Sequence, residues 1–235
     1  MTAITQQFPF VGRAPLLERL ATCYRGGRHV LLVGPPGVGK SRLLGELARR
    51  HPLLTVPRCR CLGDLLETLE PAAGLAPDDL PLAARVHRLA ARLPSLGRPL
   101  VLENVRRVPP KVAHFVRYLL IRQPVWLVAS SVEPLELGHV WPILFHFKPL
   151  NVPPFSLDDT KAFLAAAPFP GDRVQLLSSA LRVHRLAAGH PATLVALVLE
   201  LARRSHDLRT AAGLHLLALH TRINRVETQL AAAAR

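Results

Sequence analysis

Acidic residues are scarce in this chain: 16 Asp and Glu face 30 Lys and Arg, a formal net charge of +14 over 235 residues. The deficit is deepest from Val105 to Val132, where no carboxylate occurs. A balance this basic favours a polyanionic partner, nucleic acid above all, because neutralised phosphates release their counterions. The same usage of arginine, alanine, leucine and proline also accompanies a GC-rich genome, whatever the protein binds. Cysteine is short as well. Cys23, Cys59 and Cys61 are odd in number, and Cys59-Arg60-Cys61 lacks the second pair that would complete a zinc site, so free thiols in a reducing compartment are expected. The longest apolar helical stretch, Pro191 to Ala202, is too short for a bilayer and carries Glu200. The N-terminus has no basic segment followed by an apolar core. With no repeat and no low-complexity linker either, the expectation is a cytoplasmic protein without membrane contact.

What the chain does contain is chemically specific. Gly34-Pro35-Pro36-Gly37-Val38-Gly39-Lys40-Ser41 satisfies the phosphate-loop pattern G-x-x-x-x-G-K-[ST] at every required position. The context is the required one: His29 to Val33 reads as a buried strand, and Ser41 to Ala48 returns apolar residues at helical spacing. The glycines let the backbone curl with its N–H groups inward on a phosphate chain, and the following helix adds its positive end. Gly34, Pro36, Gly37, Val38, Gly39, Lys40, Ser41 and Arg42 are the candidate nucleotide-binding residues of this segment. Lys40 would reach the β- and γ-phosphates, and Ser41 would ligate Mg²⁺.

A second landmark is Pro99-Leu100-Val101-Leu102-Glu103-Asn104. A phosphate-loop ATPase needs an acid at the tip of a parallel strand to hold the Mg²⁺ shell, which Glu103 can provide. The next position would polarise the attacking water, but there the Asn104 amide cannot take a proton, so slow hydrolysis is expected. An alternative register makes Glu103 the catalytic acid and leaves the metal without a strand carboxylate. Val125 to Ser131 reads as the next parallel strand, ending on the hydroxyls of Ser130 and Ser131.

Phe8-Pro9-Phe10-Val11-Gly12-Arg13 before a leucine-rich helix resembles the segment that precedes the phosphate loop in AAA+ and STAND-type ATPases, whose backbone lines the adenine pocket; this implies nucleotide contacts at Val11, Gly12 and Arg13. The resemblance also gives Ser130 the place of the polar residue that senses the γ-phosphate. It makes Ala188-Gly189-His190-Pro191 the turn that opens a lid helix, with His190 and Pro191 near the nucleotide. The chain departs from the pattern in having no Arg between Ser131 and Thr160, where many relatives hold an arginine finger. Helices are expected at 157–166, 171–187, 191–205 and 208–234. The implied fold class is α/β: an AAA+-like P-loop NTPase with a parallel sheet flanked by helices, residues 1–152, followed by an α-helical lid, residues 153–235.

The remaining motif is basic. A helix from about Pro110 to Arg122 places apolar residues on one side, and Arg106, Arg107, Lys111, Arg117 and Arg122 gather on or beside it as candidate nucleic-acid contacts. A second set, Arg85, Arg88 and Arg92, shares one face of an earlier helix, where a solvated surface is an equal reading. With the resemblance, these features imply an ATPase using ATP and Mg²⁺ that assembles as a homo-oligomer on duplex DNA. It would recruit a partner such as a recombinase, transposase or helicase. The alternative is a nucleotide-gated scaffold acting through protein contacts with little hydrolysis.

Overall fold

The computed structural model describes residues 8–76, 79–122, 127–131, 137–204 and 206–233. The chain divides into two compact units, one of residues 15–36 and 40–152, the other of residues 1–14, 37–39 and 153–235.

The first unit is built on five parallel strands: β1 (Val30–Val33), β2 (Leu54–Val56), β3 (Leu100–Leu102), β4 (Leu127–Ser131) and β5 (Lys148–Asn151). Their spatial order is β2-β3-β4-β1-β5. Strands β1 and β3 are short runs of Val and Leu, nearly all buried, as expected where a parallel sheet is covered on both faces. Leu32 stands opposite Ser130 on one side and Leu150 on the other, and Leu102 stands opposite Ala129. The chain leaves β1 for the far edge at β2 and returns through β3 and β4, so strand order reverses at β1. In open parallel sheets such a reversal is where ligands bind, beyond the carboxyl ends of the strands.

Helix α1 (Ala14–Arg25) precedes β1, and between the strands come α2 (Lys40–Arg50), α3 (Leu62–Ala72), α4 (Leu82–Arg92), α5 (Pro110–Arg122) and the single-turn α6 (Trp141–Leu144). Leu65, Leu66 and Leu69 of α3, Leu89 of α4 and Val112, Phe115, Val116 and Leu119 of α5 join Leu31, Val56 and Leu102 in one core. The run Phe145–Leu150 suggests the last strand from sequence, and the structure begins that strand later. Phe145 is exposed and caps α6, and pairing with β1 begins only at Lys148. The expected start of the fourth strand, Val125 and Trp126, lies outside the described residues.

The second unit contains α7 (Leu157–Ala166), α8 (Arg173–Ser178), α9 (Ala180–Ala187), α10 (Pro191–Arg203) and α11 (Ala211–Ala233). Phe8, Phe155, Phe163, Leu164, Val183, Leu194, Leu197 and Val198 form its core, with the rings of Phe8 and Phe163 stacked at 5.6 Å. Ser156 and Asp159 close a reciprocal capping box at the start of α7, each backbone N–H donating to the other's side chain at 3.0 Å. The single helix expected at 171–187 is two, because Ser179 leaves helical geometry and ends α8. Ala188 and Gly189 both take positive φ to stop α9. A Cβ on Gly189 would come within 2.4 Å of the Phe155 carbonyl, and Pro191 then starts α10 with its φ already set.

Candidate nucleotide-binding site

The loop after β1 has the conformation its glycines permit: Gly37 and Gly39 sit at φ 78° and 101°, which side chains bearing a Cβ resist. Helix α2 then opens on Lys40, so the first N–H groups of an eleven-residue helix end at this loop. The Lys40 ammonium curls back over the loop, donating to the carbonyls of Gly34 at 2.6 Å and Pro35 at 3.1 Å. Burial lowers its pKa from the ordinary lysine value. A cation half-withdrawn from water with only neutral carbonyls as acceptors is prepared for an anion. Arg42 is turned instead to Glu46, 3.2 Å away.

Glu103 follows β3, its N–H held by the Val56 carbonyl at 2.9 Å. Its carboxylate accepts a hydrogen bond from the Ser41 hydroxyl, although the two residues lie 62 positions apart. The fold therefore brings together the two residues assigned to the metal. A hydroxyl and a carboxylate are hard oxygen donors, and Mg²⁺ takes one or two such protein ligands beside water and phosphate, so these residues fit the ion. Asn104 has left the strand: its φ is 52° and its amide donates to the Pro57 carbonyl at 3.2 Å. Asn is among the few residues that take this left-handed geometry readily, which gives it a local reason to stand here. Ser130 lies on β4, between β1 and β3, in register with Leu32. Its side chain is outside the described part of the structure.

Within the other unit, Gly12 takes φ 66°, and a Cβ there would lie 2.3 Å from Asp159 Oδ1. Arg13 is only 5% exposed. It donates to the carbonyls of Val38 and Pro153 and lies 4.8 Å over the Phe155 ring. Burial lowers its pKa, and the Asp159 charge opposes that shift. Arg13 is thus a clasp on the backbone around Val38, and Val11 packs on the apolar core of its unit. Sequence reasoning missed this clasp; an arginine between an apolar run and a leucine-rich helix was the available signal. Gly37 accepts from the Ala192 N–H at 3.1 Å, in the first turn of α10. His190 caps that helix, and its buried Nδ1 has no hydrogen-bond partner.

Arg106, Arg107, Lys111 and Arg117 are all exposed, before or along α5. Arg122 ends the helix, its side chain outside the described part. The earlier basic face has a different fate. Arg85 grips the buried Glu70 with two hydrogen bonds, Nε at 3.0 Å and Nη2 at 2.5 Å. Arg88 lies 3.9 Å from the same carboxylate. These arginines neutralise an internal acid.

A parallel sheet whose first strand runs into a glycine loop and helix, with a carboxylate beyond β3 reaching the loop's serine, defines a phosphate-loop nucleotide-binding protein. The family model described as AAA ATPase domain matches residues 9–129, more than half of the chain, and the chain belongs to that family. Among solved structures it is similar to a Walker-type ATPase of Pyrococcus abyssi, with a TM-score of 0.63 and 15% identity over 96% of this chain and 76% of that one. It is also similar to Cdc6p of Pyrobaculum aerophilum, TM-score 0.63 and 15% identity over 81% and 61%. The Thermotoga maritima RuvB Holliday junction branch migration motor follows at 0.54 and 19% over 90% and 69%. At these identities the likeness concerns fold. A curated relative, the tRNA modification GTPase MnmE of Bradyrhizobium sp. (strain ORS 278), is 30% identical over 134 residues, which span 52% of this chain and 27% of that protein. Membership makes this chain a nucleotide-binding protein of a nucleotide-hydrolysing class. Among the described residues no helix is long and apolar enough to cross a membrane.

Proposed function

We propose that this chain is an ATP-driven switch that hydrolyses slowly and assembles on duplex DNA, where it recruits or regulates a DNA-processing protein such as a recombinase, transposase or helicase. The observation that carries the ATPase part is the meeting of Ser41 with Glu103 beside Lys40. When bound, Mg²⁺ with ATP supplies a polarised terminal phosphate for attack by water. Lys40 would exchange its bonds to Gly34 and Pro35 for phosphate oxygens, and the Ser41 hydroxyl and the Glu103 carboxylate would hold the metal. The backbone N–H groups at the start of α2 stabilise charge on the phosphates. Asn104 orients water without accepting its proton, which keeps turnover slow.

The DNA part is supported by the exposed Arg106, Arg107, Lys111 and Arg117 in a stretch without carboxylates, and by a structural neighbour whose fold it shares, titled a Holliday junction branch migration motor. ATP-dependent self-association, action in the cytoplasm and nucleotide contacts at Val11, Gly12, His190 and Pro191 belong to the same proposal. A nucleotide-gated scaffold is the second reading, favoured by the tie between Asn104 and Pro57. The test is ATP turnover with and without duplex DNA near physiological salt, with particle size followed by light scattering. DNA-stimulated turnover or DNA-dependent assembly is the expected outcome. Tight ATP binding with neither would leave the scaffold.

A further inference from the structure

Three polar side chains remote in sequence from the phosphate loop converge in the helical unit, each with one buried polar atom that has no hydrogen-bond partner. Glu200 lies near the end of α10, His206 in the connection that follows, and His220 close to the middle of α11. Glu200 Oε1, His206 Nε2 and His220 Nδ1 are each buried and unpaired. The Glu200 and His206 side chains are 1% and 4% exposed, and that of His220 is 28%. The two imidazole nitrogens lie 3.8 and 3.9 Å from the same carboxylate oxygen, and all three atoms fall within 4.8 Å of one another.

These separations are too long for hydrogen bonds, which end near 3.2 Å. They are close to the spacing of donors around one ion: tetrahedral Zn²⁺, with bonds of about 2.0–2.2 Å, holds its ligands roughly 3.4 Å apart. Closing the triangle, whose sides all lie within 4.8 Å, needs the donors to move inward by roughly half an ångström or more each. The supports are in place as well. The Asn224 amide donates to the other carboxylate oxygen, fixing which lone pairs of Glu200 face the histidines. The His206 and His220 rings stand 5.3 Å apart, tilted by 54°. A cleft lined by Phe169, Asp172, Leu201, Arg204, His206 and Leu208 adjoins the cluster and offers a way in. Arg204, its Nε 3.6 Å from Glu200 Oε1, also faces the site and can swing outward, its side chain being 56% exposed.

We propose that Glu200, His206 and His220 form a transition-metal site, selective for Zn²⁺ over Mg²⁺, that ties the final helix α11 to α10. Two neutral imidazoles and one carboxylate match Zn²⁺ in softness and number, leaving a fourth position for water or a further ligand. Mg²⁺ avoids nitrogen donors and requires octahedral oxygen, so the metal of the nucleotide site is a different one. The ion would satisfy three buried polar atoms that otherwise lack a hydrogen bond, and it would pin α11 near its midpoint.

The experiment uses tag-free protein, stripped with chelator, without nucleotide and without Mg²⁺. Co²⁺ titration followed by visible absorption is expected to give a one-to-one site with tetrahedral or five-coordinate bands, displaced by Zn²⁺. Zn²⁺ is expected to raise Tm by several degrees. His220→Ala, at the most exposed of the three positions, and His206→Gln should each weaken the ion at least 10-fold and remove the Tm increment. Circular dichroism of the metal-free variants serves as the check that they fold. Cys61→Ser should bind as the parent does. Absence of Co²⁺ bands, undiminished binding in folded His220→Ala, or thiolate charge-transfer bands that vanish in Cys61→Ser would each overturn the assignment.

Discussion

Lys40 has exchanged water for two backbone carbonyls, and burial already lowers its pKa. Its removal therefore costs the fold little, while the phosphate site loses its only charged ligand on the loop. Lys40→Ala is expected to abolish binding of a fluorescent ATP analogue with Tm nearly unchanged. Asn104 calls for a more careful substitution. At φ 52° a glutamate would carry a backbone penalty of about 1 kcal/mol that asparagine and aspartate largely avoid. Asn104→Asp is therefore the informative variant. Faster ATP turnover would locate the water-polarising position there, and unchanged turnover would remove it from the mechanism. Cys59 offers a pH test. Burial, reinforced by Asp64 and Glu103, pushes its thiol up to about 12. The unfolded chain ionises this thiol first, so the contribution of the neutral thiol to stability is complete below about pH 8.5 and fades as pH rises toward 12. Denaturation midpoints of the parent and Cys59→Ala should converge over that alkaline range, and at pH 8 a thiol reagent should modify exposed Cys61 well before Cys59.

At the scale of elements, two local arrangements set the stability of their segments. The capping box of α7 leaves Asp159 no room to move, because its carboxylate fills the space in front of Gly12. Gly12→Ala forces Asp159 out of the box and places a Cβ at positive φ, together about 2 kcal/mol of destabilisation in chemical denaturation. Between α3 and α4, Glu70 is 2% exposed and depends on Arg85. Arg85→Ala should cost about 2–3 kcal/mol, since Arg88 at 3.9 Å compensates a stranded carboxylate only in part. Arg85→Met in a Glu70→Leu background should recover most of that loss.

For the whole molecule, the test of the DNA proposal is electrostatic. Each phosphate contact contributes roughly 0.9 to the slope of log affinity against log salt. Replacing Arg106, Arg107, Lys111 and Arg117 together should weaken duplex binding and flatten that slope by up to about 3.6. An unchanged slope would take this face out of the proposal and leave the net charge of +14 without a directed use.

Much of the architecture was legible in the order of residues, because its determinants are local. A run such as Val30–Val33 must be a buried strand, the glycines of the loop admit positive φ, and Ser156 with Asp159 caps a helix wherever it is placed. Periodicity likewise located α5 and α10, since an apolar stripe at helical spacing must be covered. What the chain order leaves open depends on which surfaces meet. Arg85 and Arg117 look alike as letters, yet one is committed to an internal carboxylate and the other is exposed, because only folding brings Glu70 to α4. Arg13 reads by resemblance as a nucleotide contact, whereas in the fold its guanidinium closes on the carbonyls of Val38 and Pro153. Glu200, His206 and His220 carry no recognisable spacing, and it is the packing of α11 against α10 that gathers them. Local propensity decides elements and turns, whereas long-range pairing of polar groups is decided by the core, which alone chooses which charges are withdrawn from water and must find one another.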